Sequence, residues 1–293
     1  MAQARLIKSR IKSATNIAKI TKAMEMVAAS KMRRSQEQAL ASRPYTHKLL
    51  EMLKTIGSHT DSSFHPLLSK SNPTADELIV IVATDRGLAG SLNANLFRAV
   101  AQEIKTMHNP KAVTVGKRAK EFALKIGLPL VAEFTGLPDR ISLSDVLPIA
   151  EVFVDGFIKG EFSSVRSMHM QFESTIKQSP EVNHLLPIAS DEVKDPLQAQ
   201  PTHKEESKEY VFEPSPKEIL DILLPYYIEN GFFQIMLEAK ASEHSARMVA
   251  MKNASDNAKD IVASLRLEYN KSRQAGITAE LLDITTASLT VGS

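Results

Sequence analysis

Along the first fifty residues, apolar side chains recur at steps of three and four. Ile7, Ile11, Ala14, Ile17, Ile20, Met24 and Val27 fall on one stripe of a helix, with small Ala18, Ala23, Ala28 and Ala29 beside it. Such small residues let a second helix approach closely, and alanine is the best helix former. Residues 1–43 contain neither Gly nor Pro, and neither do residues 232–275. At 1.5 Å per residue, each stretch predicts a rod of roughly 65 Å, far longer than the usual three-turn helix. A rod of that length cannot bury one face within its own compact domain. It must pair with its twin, enter another protein, or both. In the second rod, Ile235, Ala239, Ser242, Ala246, Val249, Asn253, Ile261 and Leu265 mark a matching stripe, so the two ends are expected to wind together as an antiparallel coiled coil.

Between the rods the period changes. Residues 78–83 (LIVIVA) form a continuous β-branched run, the mark of a strand buried on both faces. Strands are also expected at 112–115 and 130–134, with helices at 92–107, 117–126 and 145–158, the last carrying Pro148 in its first turn. Residues 165–172 alternate like a strand with one exposed face, and 185–189 are its expected partner. Alternation of strand and helix predicts an α/β layer domain around a largely parallel sheet. Residues 58–73 and 191–214 read as surface loops. Pro44 is a possible kink in the first rod, whose pattern resumes at Leu49, Leu50 and Leu53 and ends near Gly57. The second rod begins with a capping box, Ser215 to Glu218 with Pro216 at the first helical position, and Pro225 and Gly231 are expected to bend or break it. Ile277, Leu281 and Ile284 keep it helical beyond Gly276. The domains expected are a first helix over 1–57, an α/β domain over 75–195 and a second helix over 215–293.

Charge alters this picture in one respect. Residues 1–54 carry twelve Lys and Arg against three Glu, whereas residues 215–293 carry eight basic against ten acidic side chains. A basic rod suggests an anionic surface nearby, whether protein, lipid or nucleic acid. Cysteine is absent, which excludes disulfides and thiolate metal sites and makes an intracellular setting the default. No apolar run approaches eighteen residues, so no membrane-spanning helix is expected. The start, MAQARLIKSRIKSATN, is basic and acid-free like a transit peptide, but its apolar spacing continues without a seam, so it reads as mature helix.

The sequence holds few signs of chemistry. The turn TDRGLAGSLN (84–93) invites a phosphate-site reading, but its Gly87-x-x-Gly90 spacing is neither GxxxxGK[ST] nor GxGxxG, and a tight β–α turn is the simpler reading. Asp85 and Arg86 read as an acid, a clamp or a polar pair ending a strand. The eight His are scattered, without HExxH or another ligand cluster, and no nucleophile motif is present. No catalytic, cofactor-binding or metal-binding residue is assigned.

Longer wording says more. KITKAMEMVAASKMRR (19–34), EAKASEHSARMVAMKNASDNA (238–258) and YNKSRQAGITAELLDI (269–284) closely resemble the gamma subunits of F-type ATP synthases, and ATDRGLAGSLN and YVFEPSPKEILDILLP fit the same family. The match covers nearly the whole chain in order. The resemblance implies a Rossmann-like α/β domain joined to a coiled-coil shaft that turns inside a ring of three alpha and three beta subunits, its foot on the membrane c-ring with the epsilon subunit. It further implies a subunit without catalysis of its own or a cofactor, peripheral to the inner membrane of a bacterial cell on the cytoplasmic face. Position by position, Met24 matches a shaft residue facing the moving domain of beta, and Arg273 and Gln274 match a pair that engages an acidic catch loop. Arg247, Thr278 and Glu280 match shaft positions that affect coupling. Against these stand packing of Met24 and Thr278 in the seam and ordinary surface charge for Arg247 and Glu280. The tail ITTASLTVGS departs from the Gly/Ala-rich ending common in the family. The competing readings are a coiled-coil adaptor binding anionic lipid or nucleic acid through the basic first helix, weakened by the lack of stacking aromatics on the rods, and an enzyme using the α/β domain.

Overall fold

The computed structural model describes residues 2–57, 65–68, 74–188, 213 and 215–291. The chain divides into two compact units, one made of Met1–Ala29 with Arg247–Ser293 and the other of Ser30–Ala246. Two helices contribute to both: α1 (Ala2–Gly57, 56 residues) and α5 (Pro216–Val291, 76 residues). The expected loop at 58–73 lies mostly, and that at 191–214 almost wholly, outside the described residues.

The second unit is built on a five-stranded sheet. In chain order its elements are β1 (Asp76–Val82), α2 (Leu92–Glu103), β2 (Lys111–Val115), α3 (Lys117–Lys125), β3 (Leu130–Phe134), α4 (Leu143–Ile158), β4 (Phe162–Phe172) and β5 (Gln178–Leu186). The strand order is β3-β2-β1-β4-β5, with every pair parallel except β4–β5. The continuous apolar run of β1 is explained by burial on both sides. Ile79 and Ile81 join α2 and α3 through Leu96, Val100, Ala119 and Ala123. Leu78, Val80 and Val82 face the opposite core, filled by Phe153 and Phe157 of α4 and by Leu224, Phe232 and Met236 of α5. Phe153 and Phe232 meet edge to face at 5.3 Å. The second half of α1 packs antiparallel to α5 within this unit. Ser42 donates to Gln234 at 2.5 Å and Tyr45 to Tyr226 at 2.8 Å, partner numbers falling as α1 advances.

Several expectations need correction. The strand at 165–172 is longer and is not exposed on one face; Ser167 and His169 are fully buried. Its partner β5 starts at Gln178 rather than at 185. Helix α2 ends at Glu103 and tightens into a 3₁₀ turn over Ile104–Thr106. Helix α4 starts two residues early at the Ser142–Asp145 capping box, so Pro148 stands in its second turn. Helix α5 runs unbroken through Pro225 and Gly231. Burial of Leu224, Ile228 and Phe232 around those residues outweighs their poor helical propensity.

In the first unit, two helical segments form a coiled coil. α1 leaves the unit at Ala29, α5 enters it at Arg247, and Ser255 Oγ donates to the Ala18 carbonyl at 3.3 Å, so the segments run antiparallel. The seam on α1 is Ile7, Ile11, Ala14, Ala18, Thr21, Glu25 and Ala28, all buried or half-buried. On α5 it is Met251, Ser255, Ala258, Val262, Leu265, Tyr269 and Ser272. Both sets alternate steps of four and three, the 3.5-residue repeat of a coiled coil. The sequence stripes were therefore partly wrong. Ile17, Ile20, Val27 and Ile261 are each more than half exposed, and Asn253 is exposed. Large aliphatic residues had stood in for a seam that uses small ones.

Candidate functional site

The turn after β1 is held by its own side chains. Thr84 Oγ1 donates to the Arg86 carbonyl at 2.7 Å and accepts from Asn93 Nδ2 at 2.8 Å. Leu88 and Gly90 adopt φ of 64° and 59°, the left-handed region that makes the bend. The Asp85 carboxylate accepts from the backbone N–H of Lys117 at 3.0 Å and of Gly136 at 3.1 Å. A phosphate would seek the N-terminus of α3, where helical N–H groups lie unpaired; here an internal carboxylate already takes that position. Gly116 precedes it because a Cβ there would lie 2.2 Å from the Ala83 carbonyl oxygen. Asp85 is thus a clamp between two loops, and the turn is structural.

The first unit places every residue singled out from the sequence. Met24 is half-buried beside the α1 seam, and Arg247 is half-buried at the start of the α5 segment. Arg273, Gln274, Thr278 and Glu280 are all exposed. Two of them are joined: Thr278 Oγ1 donates to the Gln274 carbonyl one turn earlier at 3.0 Å. Around the seam lies a second apolar surface, which sequence periodicity had merged with the first. Ile17, Ile20, Val27, Ile261, Leu281 and Ile284 are each at least half exposed. The charges between them are solvated; Lys259 Nζ, 2.8 Å from Asp256, holds that carboxyl below its ordinary value.

Sequence reasoning missed one grouping. The β4–β5 register sets His169 opposite Glu181, and α5 brings Glu238 to the same place, with His169 Nε2 3.9 Å from a carboxylate oxygen of each. No spacing motif signals this set, because its members come from three elements far apart in sequence.

A doubly wound α/β domain inserted between the two strands of a coiled coil defines the class: a coiled-coil subunit whose helical pair presents an apolar exterior. The ATP synthase family model matches residues 3–290. The ATP synthase gamma chain of Dehalococcoides mccartyi strain CBDB1 is 42% identical over 287 residues, 97% of either chain. That of Opitutus terrae is 41% identical over the full length of both. Among solved structures, the mitochondrial ATP synthase of Euglena gracilis (OSCP/F1/c-ring, rotational state 3) contains a chain that shares the fold at a TM-score of 0.70 and 18% identity, covering 99% of this chain and 95% of that one. A chain of the Tetrahymena thermophila central stalk and c-ring gives 0.59 at 22% identity over 80% and 99%. The chain belongs to the ATP synthase gamma-chain family.

Proposed function

We propose that the chain is the central rotor shaft of an F-type ATP synthase, without catalysis of its own. The observation that carries this reading is the apolar exterior of the first unit. A coiled coil whose seam is already filled, yet which keeps Ile17, Ile20, Val27, Ile261, Leu281 and Ile284 in solvent, needs a surrounding protein to cover them. A ring of three alpha and three beta subunits supplies such a collar. Few charges in residues 277–293 (Glu280 and Asp283) suit a bearing that slides. Met24, Arg247, Thr278 and Glu280 contact that ring, and Arg273 with Gln274 engages an acidic loop of beta through the planar guanidinium fork. The epsilon subunit and the c-ring hold the other end, at the cytoplasmic face of a bacterial inner membrane. The asymmetry of one shaft within three sites couples rotation angle to nucleotide affinity. No described helix is long and apolar enough to cross a membrane, which accords with a peripheral position. Reconstitution tests the proposal: ATP hydrolysis should appear when the chain is mixed with alpha and beta subunits and not with the chain alone. Hydrolysis by the purified chain, or failure to join the alpha–beta ring, would overturn it.

A further inference from the structure

His169 is fully buried on β4, yet neither ring nitrogen has a hydrogen-bond partner. An imidazole in that state loses its hydration with nothing in return, which is costly for a buried polar group. Its Nε2 and carboxylate oxygens of Glu181 and Glu238 all lie within 4.8 Å of one another. At 3.9 Å the imidazole is too far from either carboxylate for a direct hydrogen bond. Both glutamates are partly buried, and burial pushes the Glu181 carboxyl up, with His169 opposing and Glu238 adding to the effect. Two carboxyls and an imidazole therefore converge on a shared gap without a hydrogen bond between the imidazole and either carboxyl.

That gap has the dimensions of an ion. A point equidistant from three atoms 3.9–4.8 Å apart lies about 2.3–2.8 Å from each, against zinc–nitrogen and zinc–oxygen bonds of about 2.0–2.2 Å. Small side-chain rotations close the difference. We propose that His169, Glu181 and Glu238 bind a divalent transition-metal cation of the zinc class, which fastens the β4–β5 hairpin to α5. The imidazole ligand selects this class over magnesium and calcium, which prefer sites built wholly of oxygen. Ser167, two residues before His169, and Ser242, one turn beyond Glu238, have buried hydroxyls without partners and suit a metal-bound water in the fourth position. The role is structural, since the site joins sheet to helix and its imidazole is fully buried.

The full chain, free of any polyhistidine tag and stripped with chelator, is titrated with Co²⁺ and Zn²⁺ by visible absorption and calorimetry. The expected result is one equivalent bound with cobalt d–d bands, and binding weaker by about tenfold or more in His169→Asn and Glu238→Gln. Zn²⁺ should raise the melting temperature of the natural chain and not that of the variants. Should His169→Asn fail to fold, Glu181→Gln carries the comparison: it should melt at or above the natural chain in chelator and below it in Zn²⁺. Absence of stoichiometric binding, equal binding by the variants, or the same melting order in chelator and in Zn²⁺ would each overturn the site and leave the cluster to an internal water or a protonated imidazole.

Discussion

The two units bury their apolar residues in opposite ways. In the sheet domain, Leu78, Val80, Phe153, Phe157 and Phe232 are sealed completely, and each side of the sheet has its own helices. In the coiled coil, Ile7, Ala28, Met251, Ser255, Ala258 and Val262 are buried along a narrow seam, while larger aliphatics stand outside it. The sheet domain has closed cores beneath scattered exposed aliphatics such as Ile176 and Ile222, whereas the coiled coil has only its seam. Stability therefore resides mainly in the sheet domain, and on the proposed rotor reading the outer surface of the coiled coil is what partner subunits cover.

Substitutions can break or sharpen this contrast. The largest loss is expected for Phe153→Ala, which removes a fully buried ring packed edge to face with Phe232; about 3–5 kcal/mol should disappear in urea unfolding. A smaller loss should follow Ser255→Leu, which overfills the close approach to Ala18 and costs about 1–3 kcal/mol, read as earlier melting of helical circular dichroism. If the seam tolerates leucine without loss, the two segments are not tightly packed there.

Acid should act more gently. Burial raises the Asp139 carboxyl, but the Lys31 ammonium 2.5 Å away, aided by His244 and Lys240, outweighs it and leaves Asp139 below its ordinary value. A lowered carboxylate contributes stability that is present above the unfolded value and lost as pH falls through the folded one. Because both side chains are substantially exposed, Asp139→Asn should cost less than about 1 kcal/mol near neutrality, and the difference from the natural chain should vanish in acid, as measured by unfolding at several pH values. Arg273→Ala with Gln274→Ala should change stability least, since both side chains are exposed. In an assembled complex the pair should lower ATP synthesis more than assembly; lost assembly with normal coupling in what remains would remove the catch role.

The strands β1 and β2 were legible because a sheet covered on both faces selects continuous β-branched runs, and β3, at the sheet edge, because exposed Val131 and Glu133 alternate with half-buried Leu130, Ala132 and Phe134. β4 was misread because two of the polar residues that make it alternate, Ser167 and His169, are buried rather than turned to water, with Glu238 of α5 lying beside His169. Sequence pattern reports polarity and not burial, and only the tertiary cover separates the two. The seam of the coiled coil was displaced for the converse reason: Ile17 and Ile20 look like core, but small Ala18 and Thr21 occupy it. Conspicuous hydrophobicity at those positions is surface, and on the proposed function it is surface that another chain covers. The His169 cluster depended on strand register and helix placement together, neither of which one sequence expresses.

The split of the coiled coil between the two chain ends also fixes an order of events at the ribosome. Every residue of the sheet domain precedes Arg247, so that domain can finish folding before the second helical segment has emerged. Residues 2–29 must wait through that whole interval without their seam partner, their aliphatic side chains in water. A nascent chain that has emerged only as far as Ala246 would carry a folded domain and a solitary sticky helix, the form most in need of a chaperone.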